Sequence, residues 1–390
     1  MSTVCLYNGT IYTGFTVLEK STVIIKDGTI EDVISNERFK KRKLPSDTQI
    51  YYLNGANISA GFIDTHIHGL HGYDTADGNT ESILKISEHL AEYGVIGFCP
   101  TLYPKAENDF IENIKAVTNA IGKEKGAKIL GLHLEGPFIS RDKRGVLNPE
   151  YMREVDIEFM KKLYEASRGH IKIMTVAPEL KNMRELALYC LKHNIILSAG
   201  HSNATYENML EGMQAGIVHS THFFNAMRRL HHRDPGVVGS ILIHPEVSCE
   251  IIADGYHLHP AILKLLFRTK PINKIIMVTD SIKPTGLTEG PFYANNEEVY
   301  FEQGMFKRKE DGTIAGSSLI LKNGIKFLHS IGIPLEDAIK MATLNPATLL
   351  GIQKTNGSIL PGKNADIVAF DNDFNIILTM INGKIISFHE

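Results

Sequence analysis

The 390-residue sequence contains no tryptophan and only four cysteines, none of them in a CxxC pair. Cys5, Cys99, Cys190 and Cys249 lie far apart, which argues against a disulfide framework or a cysteine zinc site and favours reduced, buried thiols. No apolar run approaches the roughly 18–20 residues that span a bilayer, so we expect no membrane segment. The N-terminus lacks the basic start and apolar middle of a secretory signal, and the cytoplasm is the expected location.

An excess of positive charge is also missing. Forty-one Lys and Arg residues against 44 Asp and Glu residues give a formal net charge of −3, so we expect no nucleic acid partner. Neither a G-x-G-x-x-G motif after the first strand nor a G-x-x-x-x-G-K-[ST] motif is present, which argues against an open doubly wound sheet. With 43% hydrophobic and 22% charged residues, the composition is that of a folded globular protein.

Both ends of the chain have the pattern of β-strands separated by turns. The dipeptide Asp27-Gly28 lies between two alternating runs and predicts a hairpin, and Asn382-Gly383 predicts a second turn near the C-terminus. Neither end alone is long enough to bury a good core. We therefore expect the two ends to pair into one small β-sandwich domain.

Between the two ends, short apolar runs alternate with helical patterns, as is typical of βα units and a parallel sheet. Eight such runs occur, at 61–68, 95–101, 128–135, 171–179, 195–202, 217–225, 248–257 and 274–281. Eight βα units in about 300 residues predict an α/β fold with a (β/α)8 TIM-like barrel, and an open doubly wound sheet is the alternative. The predicted domains are residues 1–58 with 357–390 for the β-domain and 59–356 for the barrel.

Many of the predicted strands end in residues that can bind a metal or move a proton, and in a barrel these ends meet on one face. They include His66, His68, Glu135, His201, His222, His257 and Asp280. A His-x-His pair puts both side chains on the same side of a strand, although alone it is more typical of exposed or hydrogen-bonded histidines than of a metal site. Glu135 ends an apolar run, where an unpaired carboxylate would be costly to bury and a cation would compensate its charge. Nitrogen and oxygen ligands of this kind suit zinc or a similar divalent metal.

A metal site of this type predicts hydrolysis, because a bound cation makes water acidic and polarises a carbonyl oxygen. The reaction also needs a group that accepts the proton of water and passes it to the leaving group. Asp280, at the end of the eighth run, is placed for that role. The alternative for Asp280 is a helix cap.

Six motifs, in order, resemble those of the N-acetylglucosamine-6-phosphate deacetylase family of the amidohydrolase superfamily. They are FIDTHIHG, HLEGPF, GHSNAT, THFFNAM, IADGYH and VTDS, followed by GSILPGKNADIVAFD near the C-terminus. The resemblance implies hydrolysis of N-acetyl-D-glucosamine 6-phosphate to D-glucosamine 6-phosphate and acetate, in amino-sugar catabolism. It also implies that Glu135, His201 and His222 hold the principal metal and that Asp280 is the general base and then the general acid.

The same resemblance implies a set of substrate-binding positions and a cofactor. The positions are Asn225, Ala226, Arg233, His257, Ala315 and Gly316. The cofactor is one or two divalent cations per subunit, with zinc expected first and iron or manganese as alternatives. In this family a neighbouring subunit can complete the phosphate pocket, so the resemblance implies a homodimer. Arg228 and Arg229, in the same loop as Arg233, are expected to be solvated.

Two positions at which the family is not uniform set this sequence apart. Some members lack the His-x-His pair and use one metal, whereas His66 and His68 permit a second ion. Some members carry a histidine after the HLEGP motif that polarises the substrate carbonyl, where this chain has Leu147. Leucine donates no hydrogen bond. We hypothesise that a second cation at His66 and His68 supplies the polarisation that Leu147 cannot.

Three alternatives stay open from the sequence. One is deacetylation of the galactosamine epimer. Another is an amidohydrolase that acts on a cyclic amide or an N-acyl amino acid; such relatives commonly hold two metals with a modified lysine, where this chain offers Glu135. The last is a catalytically inactive barrel that binds a sugar phosphate, which would be expected to have lost Asp280 or a metal ligand.

Overall fold

The structure is a computed structural model that describes residues 3–389. Its strands are β1 (Thr3–Tyr12), β2 (Val17–Lys26), β3 (Thr29–Ser35), β4 (Gln49–Tyr52), β5 (Asn57–Ala60), β6 (Phe62–Ile67), β7 (Gly69–Leu70), β8 (Tyr73–Asp74), β9 (Val95–Leu102), β10 (Lys128–Ile129), β11 (Leu132–Glu135), β12 (Ile171–Val176), β13 (Ile196–Ala199), β14 (Ile217–Ser220), β15 (Cys249–Ile252), β16 (Ile275–Val278), β17 (Phe292–Ala294), β18 (Glu297–Glu302), β19 (Met305–Arg308), β20 (Ile367–Phe370), β21 (Ile376–Ile381) and β22 (Lys384–Phe388).

Its α-helices are α1 (Asn36–Phe39), α2 (Thr80–Glu92), α3 (Glu107–Ala120), α4 (Ile157–Ala166), α5 (Met183–Lys192), α6 (Tyr206–Ala215), α7 (Gly236–Ile243), α8 (Pro260–Thr269), α9 (Leu321–Ser330), α10 (Leu335–Met341) and α11 (Leu344–Leu349). Short 3-10 helices lie at Arg141–Lys143, Pro149–Tyr151 and Ile272–Lys274. Over residues 3–389, none of the helices combines the length and the apolar character that crossing a membrane requires.

The two ends of the chain form one eight-stranded sheet. Its strand order is β22-β21-β20-β5-β1-β2-β3, and β4 also pairs with β1. Asp27 and Gly28 join β2 to β3 with φ values of 50° and 81°, the left-handed pair that a tight two-residue hairpin requires. The predicted pairing of the two ends is confirmed. The domain limits at residues 58 and 357 stay predictions, and β5 runs across the first of them.

Eight parallel strands form the predicted barrel, in the order β6, β9, β11, β12, β13, β14, β15 and β16. The ladders run from β6 to β14 and from β15 to β16, and backbone hydrogen bonds outside these ladders cross the two remaining joints. Phe223 N–H donates to the carbonyl of Glu250 at 2.9 Å, and Asp280 N–H donates to that of His66 at 2.8 Å. Each of the eight apolar runs contains or overlaps one barrel strand, so the predicted fold class is confirmed.

Helices cover the outside of the barrel through apolar stripes, as α2 illustrates. The side chain of Asn79 caps this helix by accepting a hydrogen bond from Ser82 N–H at 2.9 Å. Ile83, Ile86 and Leu90 recur at helical spacing and are buried in the main core. Burying each of these side chains contributes about 1.5–3 kcal/mol.

A three-stranded antiparallel sheet, β17-β18-β19, is inserted between the last barrel strand and α9. The sequence analysis assigned no strands there, although the alternating residues and the turn at Gln303-Gly304 are a readable hairpin signal. Ala294, Val299 and Phe306 form a small apolar cluster with residues at the barrel mouth. The inserted sheet therefore forms one wall above the carboxyl ends of the barrel strands.

Candidate active site

The predicted metal and proton-transfer residues all lie at the carboxyl ends of barrel strands. His66 is in β6, Glu135 is the last residue of β11, and His201, His222 and Asp280 each lie two residues beyond β13, β14 and β16. His201, His222 and Asp280 have φ values of 46°, 26° and 51°. A left-handed backbone costs a non-glycine residue about 1–2 kcal/mol. Strain of this kind is concentrated at functional sites, where the rest of the fold imposes it.

Glu135, His201 and His222 converge on one point. Oε1 of Glu135 lies 3.1 Å from Nε2 of His201 and 3.0 Å from Nε2 of His222, and the two Nε2 atoms are 3.1 Å apart. All three side chains are buried. Two imidazole nitrogens and a carboxylate oxygen that face one another at this spacing form a candidate metal site.

His66, His68 and Asp280 form a second cluster beside the first. The Nε2 atoms of His66 and His68 are 3.2 Å apart, and Oδ1 of Asp280 lies 3.4 Å from each of them. Glu135 lies between the two clusters, because its Oε2 is 3.4 Å from Nε2 of His68. The five side chains that the sequence analysis assigned as metal ligands are thus contiguous, with Glu135 as the link.

Backbone carbonyls fix which nitrogen of two imidazoles faces the clusters. His201 Nδ1–H donates to the carbonyl of Lys143 at 2.8 Å, and His68 Nδ1–H donates to that of Thr101 at 3.1 Å. A carbonyl oxygen can only accept, so each Nδ1 carries a proton and each Nε2 points into its cluster. This is the orientation that a metal-binding histidine needs.

The charge balance of the clusters also fits a cation. Burial opposes the charged form of His66, yet the carboxylates of Glu250 and Asp280 raise its pKa to about 9. Burial would raise the pKa of Glu135, but hydrogen bonds and charge from His201 hold it well below its usual range. The buried carboxylates therefore require positive charge nearby. Divalent cations would supply it and leave the imidazoles neutral, so these residues fit the expected metal cofactor.

A cavity of about 330 Å³ opens above the two clusters. Its lining includes the predicted residues His68, Glu135, His201, His222, Asn225, Ala226, His257, Asp280, Ala315 and Gly316. Leu147 also lines it, beside the apolar Val146. Most of the side chains that the sequence analysis assigned to the site therefore face one space, and their individual roles stay predictions.

Arg233 lies apart from this cavity. It is exposed, in the loop between β14 and α7, and is not among the cavity residues. In the part of the chain that the structure describes, its guanidinium has no carboxylate within 4 Å. Arg228, in contrast, is half-buried and its Nε donates to Oδ2 of Asp234 at 2.8 Å, so Arg228 braces the loop rather than being fully solvated.

His257 lines the cavity, and Asp254 fixes the orientation of its ring. Oδ2 of Asp254 lies 2.6 Å from Nδ1 of His257, and Oδ1 of Asp254 accepts hydrogen bonds from the backbone N–H groups of Tyr256 and His257. Burial would lower the pKa of His257, but the Asp254 carboxylate raises it. The Nε2 side of the ring is consequently free to contact a ligand within the cavity.

Three polar residues at the site, Glu250, Asp74 and Tyr103, were not predicted from the sequence. Glu250 lies in the middle of the buried strand β15 and contacts both His66 and His219. Asp74 and Tyr103 line the cavity next to His68. A glutamate inside the apolar run SCEII was the available signal for Glu250, because an ionised side chain in a buried strand needs partners.

Comparisons with known proteins show the family to which the chain belongs. The Amidohydrolase family matches residues 57–386, and the NagA composite domain matches residues 5–58. An N-acetylglucosamine-6-phosphate deacetylase of Bacillus subtilis is 35% identical over 95% of this chain and 93% of its own length. An N-acetylgalactosamine-6-phosphate deacetylase of Escherichia coli O157:H7 is 32% identical over 85% of this chain and 88% of its own.

Solved structures are similar over nearly the whole chain. The N-acetylglucosamine-6-phosphate deacetylase of Pasteurella multocida superposes with a TM-score of 0.91 at 29% identity, covering 98% of this chain and 99% of that one. The Thermotoga maritima enzyme of the same name gives 0.87 at 30% identity, covering 99% and 100%. The chain is therefore a hydrolase that belongs to the N-acetylglucosamine-6-phosphate deacetylase family of the amidohydrolases.

Proposed function

We propose that the chain hydrolyses the acetamide of N-acetyl-D-glucosamine 6-phosphate, giving D-glucosamine 6-phosphate and acetate. The observation that carries the proposal is the convergence of Glu135, His201 and His222 at the base of a cavity that Asp280 also lines. Retention of every one of these groups argues against an inactive sugar-phosphate-binding barrel. Glu135 lies between the two clusters, where the amidohydrolases that act on cyclic amides or N-acyl amino acids commonly have a modified lysine. This difference argues against those two activities for this chain.

Asp280 is the proposed general base and then general acid. Burial would raise its pKa, but the charge of His66 and the hydrogen bond from His68 lower it, so the group is a carboxylate at neutral pH. A carboxylate here can accept a proton from the attacking water and deliver it to the leaving nitrogen. When bound, a divalent cation supplies acidity to that water and polarises the amide carbonyl.

The remaining cavity residues are proposed to orient the sugar. Nδ2 of Asn225 donates to the carbonyl of His222 at 3.1 Å, which leaves its Oδ1 available for a sugar hydroxyl. His257 offers its Nε2 as a hydrogen-bonding atom. Ala226 and Gly316 have positive φ values of 50° and 49°, and the backbone of the cavity wall turns at these two residues. Amide hydrolysis depends on this orientation, because reacting atoms must be held about 3–3.5 Å apart.

The metal is proposed to be zinc, with iron or manganese as alternatives, at one or two ions per subunit. Two ions are favoured by the two adjacent clusters that share Glu135. Leu147 is buried in the cavity wall and offers no donor to the substrate carbonyl, which supports the hypothesis that the second ion compensates for it. One tightly bound ion per chain, with His66 and His68 intact, would contradict this part of the proposal.

A homodimer, in the cytoplasm, is also part of the proposal. Helix α7 has the nearly all-apolar sequence GVVGSILI, and such a helix is normally covered on all sides. Ile243 at its end is nevertheless 59% exposed, and Leu230, which packs over Gly239, is 52% exposed. If a second copy of the chain covered this face, the exposed side chain of Arg233 could reach the cavity of the neighbouring subunit.

The test is acetate release from N-acetylglucosamine 6-phosphate and from its galactosamine epimer. The enzyme is assayed as purified, after chelation, and after adding back zinc, iron or manganese. We expect turnover that chelation removes and one of these metals restores, with the glucosamine epimer preferred. Preference for the galacto epimer would support the alternative substrate, to which the Escherichia coli relative is assigned by name. No acetate from either epimer would overturn the proposal.

A further inference from the structure

Asp74 lies in the cavity wall beside the metal clusters, and nothing in the proposed mechanism uses it. It ends the short hairpin β7-β8 that follows His68. His68 and Gly69 donate from their backbone N–H groups to the carbonyl of Ser281, at 2.8 and 3.0 Å. The hairpin is thereby tied to the residue that follows Asp280. Asp74 is 4% exposed and lines the cavity together with His68 and Tyr103.

The two oxygens of Asp74 differ in their surroundings. Oδ1 accepts a hydrogen bond from Ala76 N–H at 2.8 Å and one from the Tyr103 hydroxyl at 3.3 Å. Oδ2 has no hydrogen-bond partner among the residues from 3 to 389. This oxygen is not fully enclosed by protein, so solvent or a ligand can reach it and supply the missing donor. Since Asp74 lines the cavity, we expect a bound ligand to donate a hydrogen bond to Oδ2.

The metal clusters do not account for this oxygen. Three groups of possible metal ligands exist within the described part of the chain, and Asp74 belongs to none of them. The phosphate of the substrate does not account for it either, because two anions repel each other. The donor must come from a neutral or positive part of the ligand, bound at the end of the cavity that Asp280 and His68 share.

We propose that Oδ2 of Asp74 accepts a hydrogen bond from the nitrogen on C2 of the sugar. This inference rests on the proposed function, since the acetamide must lie at Asp280 and the metal clusters. The amide N–H is the donor that the acetamide carries. After hydrolysis the nitrogen is an amine, and its protonated form pairs with the carboxylate more strongly than the amide does. Asp74 takes no proton in the reaction; Asp280 still delivers the proton to the nitrogen.

The test compares two ligands that differ only at C2. D-Glucosamine 6-phosphate carries an amine there and D-glucose 6-phosphate a hydroxyl, and each is titrated calorimetrically against the metal-loaded enzyme. We expect the wild type to bind the amine at least about 10-fold more tightly, since a charge-assisted hydrogen bond changes affinity by about 10- to 100-fold. Asp74→Asn should lose most of that preference and lower kcat/KM for acetate release by a similar factor.

Asp77→Asn is the matched control. Asp77 lies on the same loop, accepts a hydrogen bond from Asp74 N–H at 2.9 Å and pairs with Lys283, but does not line the cavity. We expect this variant to keep the preference for the amine, and both variants to keep the metal content of the wild type.

Three results would overturn the inference. They are an Asp74→Asn enzyme that keeps the amine preference, a loss of metal specific to that variant, and a wild type without the preference. The third result is measured on the wild type alone, so it does not depend on whether a variant folds. Because the wild type is also assayed for acetate release, failure of the proposed function would show there, separately from any result on Asp74.

Discussion

Oε2 of Glu250 lies 2.9 Å from Nδ1 of His66, at the centre of the barrel, where both side chains are fully buried. The same oxygen accepts a hydrogen bond from the backbone N–H of His222 at 3.1 Å. The Glu250 carboxylate thus orients the imidazole ring of His66 in one cluster and the backbone of His222 in the other. Burial would raise the pKa of Glu250, but His66 and His219 hold it well below its usual range.

Replacing Glu250 with glutamine should weaken metal binding at His66 and His68. The amide loses the charge that holds His66 in the tautomer with a free Nε2, and loss of such a partner typically lowers metal affinity by about 10- to 100-fold. Competition with a chromophoric chelator measures that affinity. Glu246→Gln is the control, because the Glu246 side chain is 61% exposed and pairs with His244, which is not a predicted metal ligand. Equal metal affinity in the two variants would remove Glu250 from this role.

Asp280→Asn should lower acetate release by about 10²- to 10⁴-fold, the usual contribution of a general acid or base. The ligands Glu135, His201 and His222 are untouched, so at least one ion should still bind each chain. Steady-state kinetics and elemental analysis of the same preparation check both statements. Turnover within a few-fold of wild type would remove Asp280 from proton transfer.

Arg233 should act on a neighbouring subunit. If Arg233→Ala and Asp280→Asn are each nearly inactive, co-purified heterodimers of the two should recover activity, because one of their two cavities would combine an intact Asp280 with an intact Arg233. Up to about a quarter to a half of wild-type activity is expected from such mixing. Unrecovered activity in verified heterodimers would place Arg233 in its own subunit or outside the site.

The two turns that join the chain ends should be sensitive to any side chain. Gly28 and Gly383 have φ values of 81° and 73°, and a Cβ added to Gly383 would lie 2.5 Å from Cα of Gly28. Gly383→Ala should therefore lower the free energy of unfolding by more than the about 1–2 kcal/mol that a left-handed backbone costs.

Gly55→Ala separates strain from crowding, because Gly55 has φ of 87° and nothing within 4 Å of the added Cβ. Urea unfolding of the three proteins gives the comparison. Equal losses in the two variants would show that the contact between the turns contributes nothing.

The sequence predicted the parts of this fold that follow from periodicity. Eight apolar runs gave eight barrel strands, and because parallel strands end on one face, His66, Glu135 and Asp280 could be placed together despite their separation in the chain. The role of Glu250 was not predictable in the same way. Its partners His66 and His222 lie on other strands, so the contacts depend on closure of the ring and not on any local pattern.

The inserted sheet and Arg233 show two other limits. The sheet β17-β18-β19 has local strand signals, but its place over the cavity depends on contacts between Val299, Phe306 and the barrel mouth. Arg233 was assigned by motif position, which says nothing about whether a side chain faces its own cavity or a neighbour's. The spacing of residues in the sequence indicates which kind of chemistry a site can perform, whereas tertiary contacts determine which side chains lie next to each other.

The central claim is that Glu135, His201 and His222 hold a cation at the base of the cavity. Anomalous diffraction at the zinc edge, from crystals of zinc-loaded enzyme, tests it most directly. We expect a peak about 2.0–2.2 Å from Nε2 of both histidines and from an oxygen of Glu135. Loaded crystals with no peak among these three atoms would contradict the account.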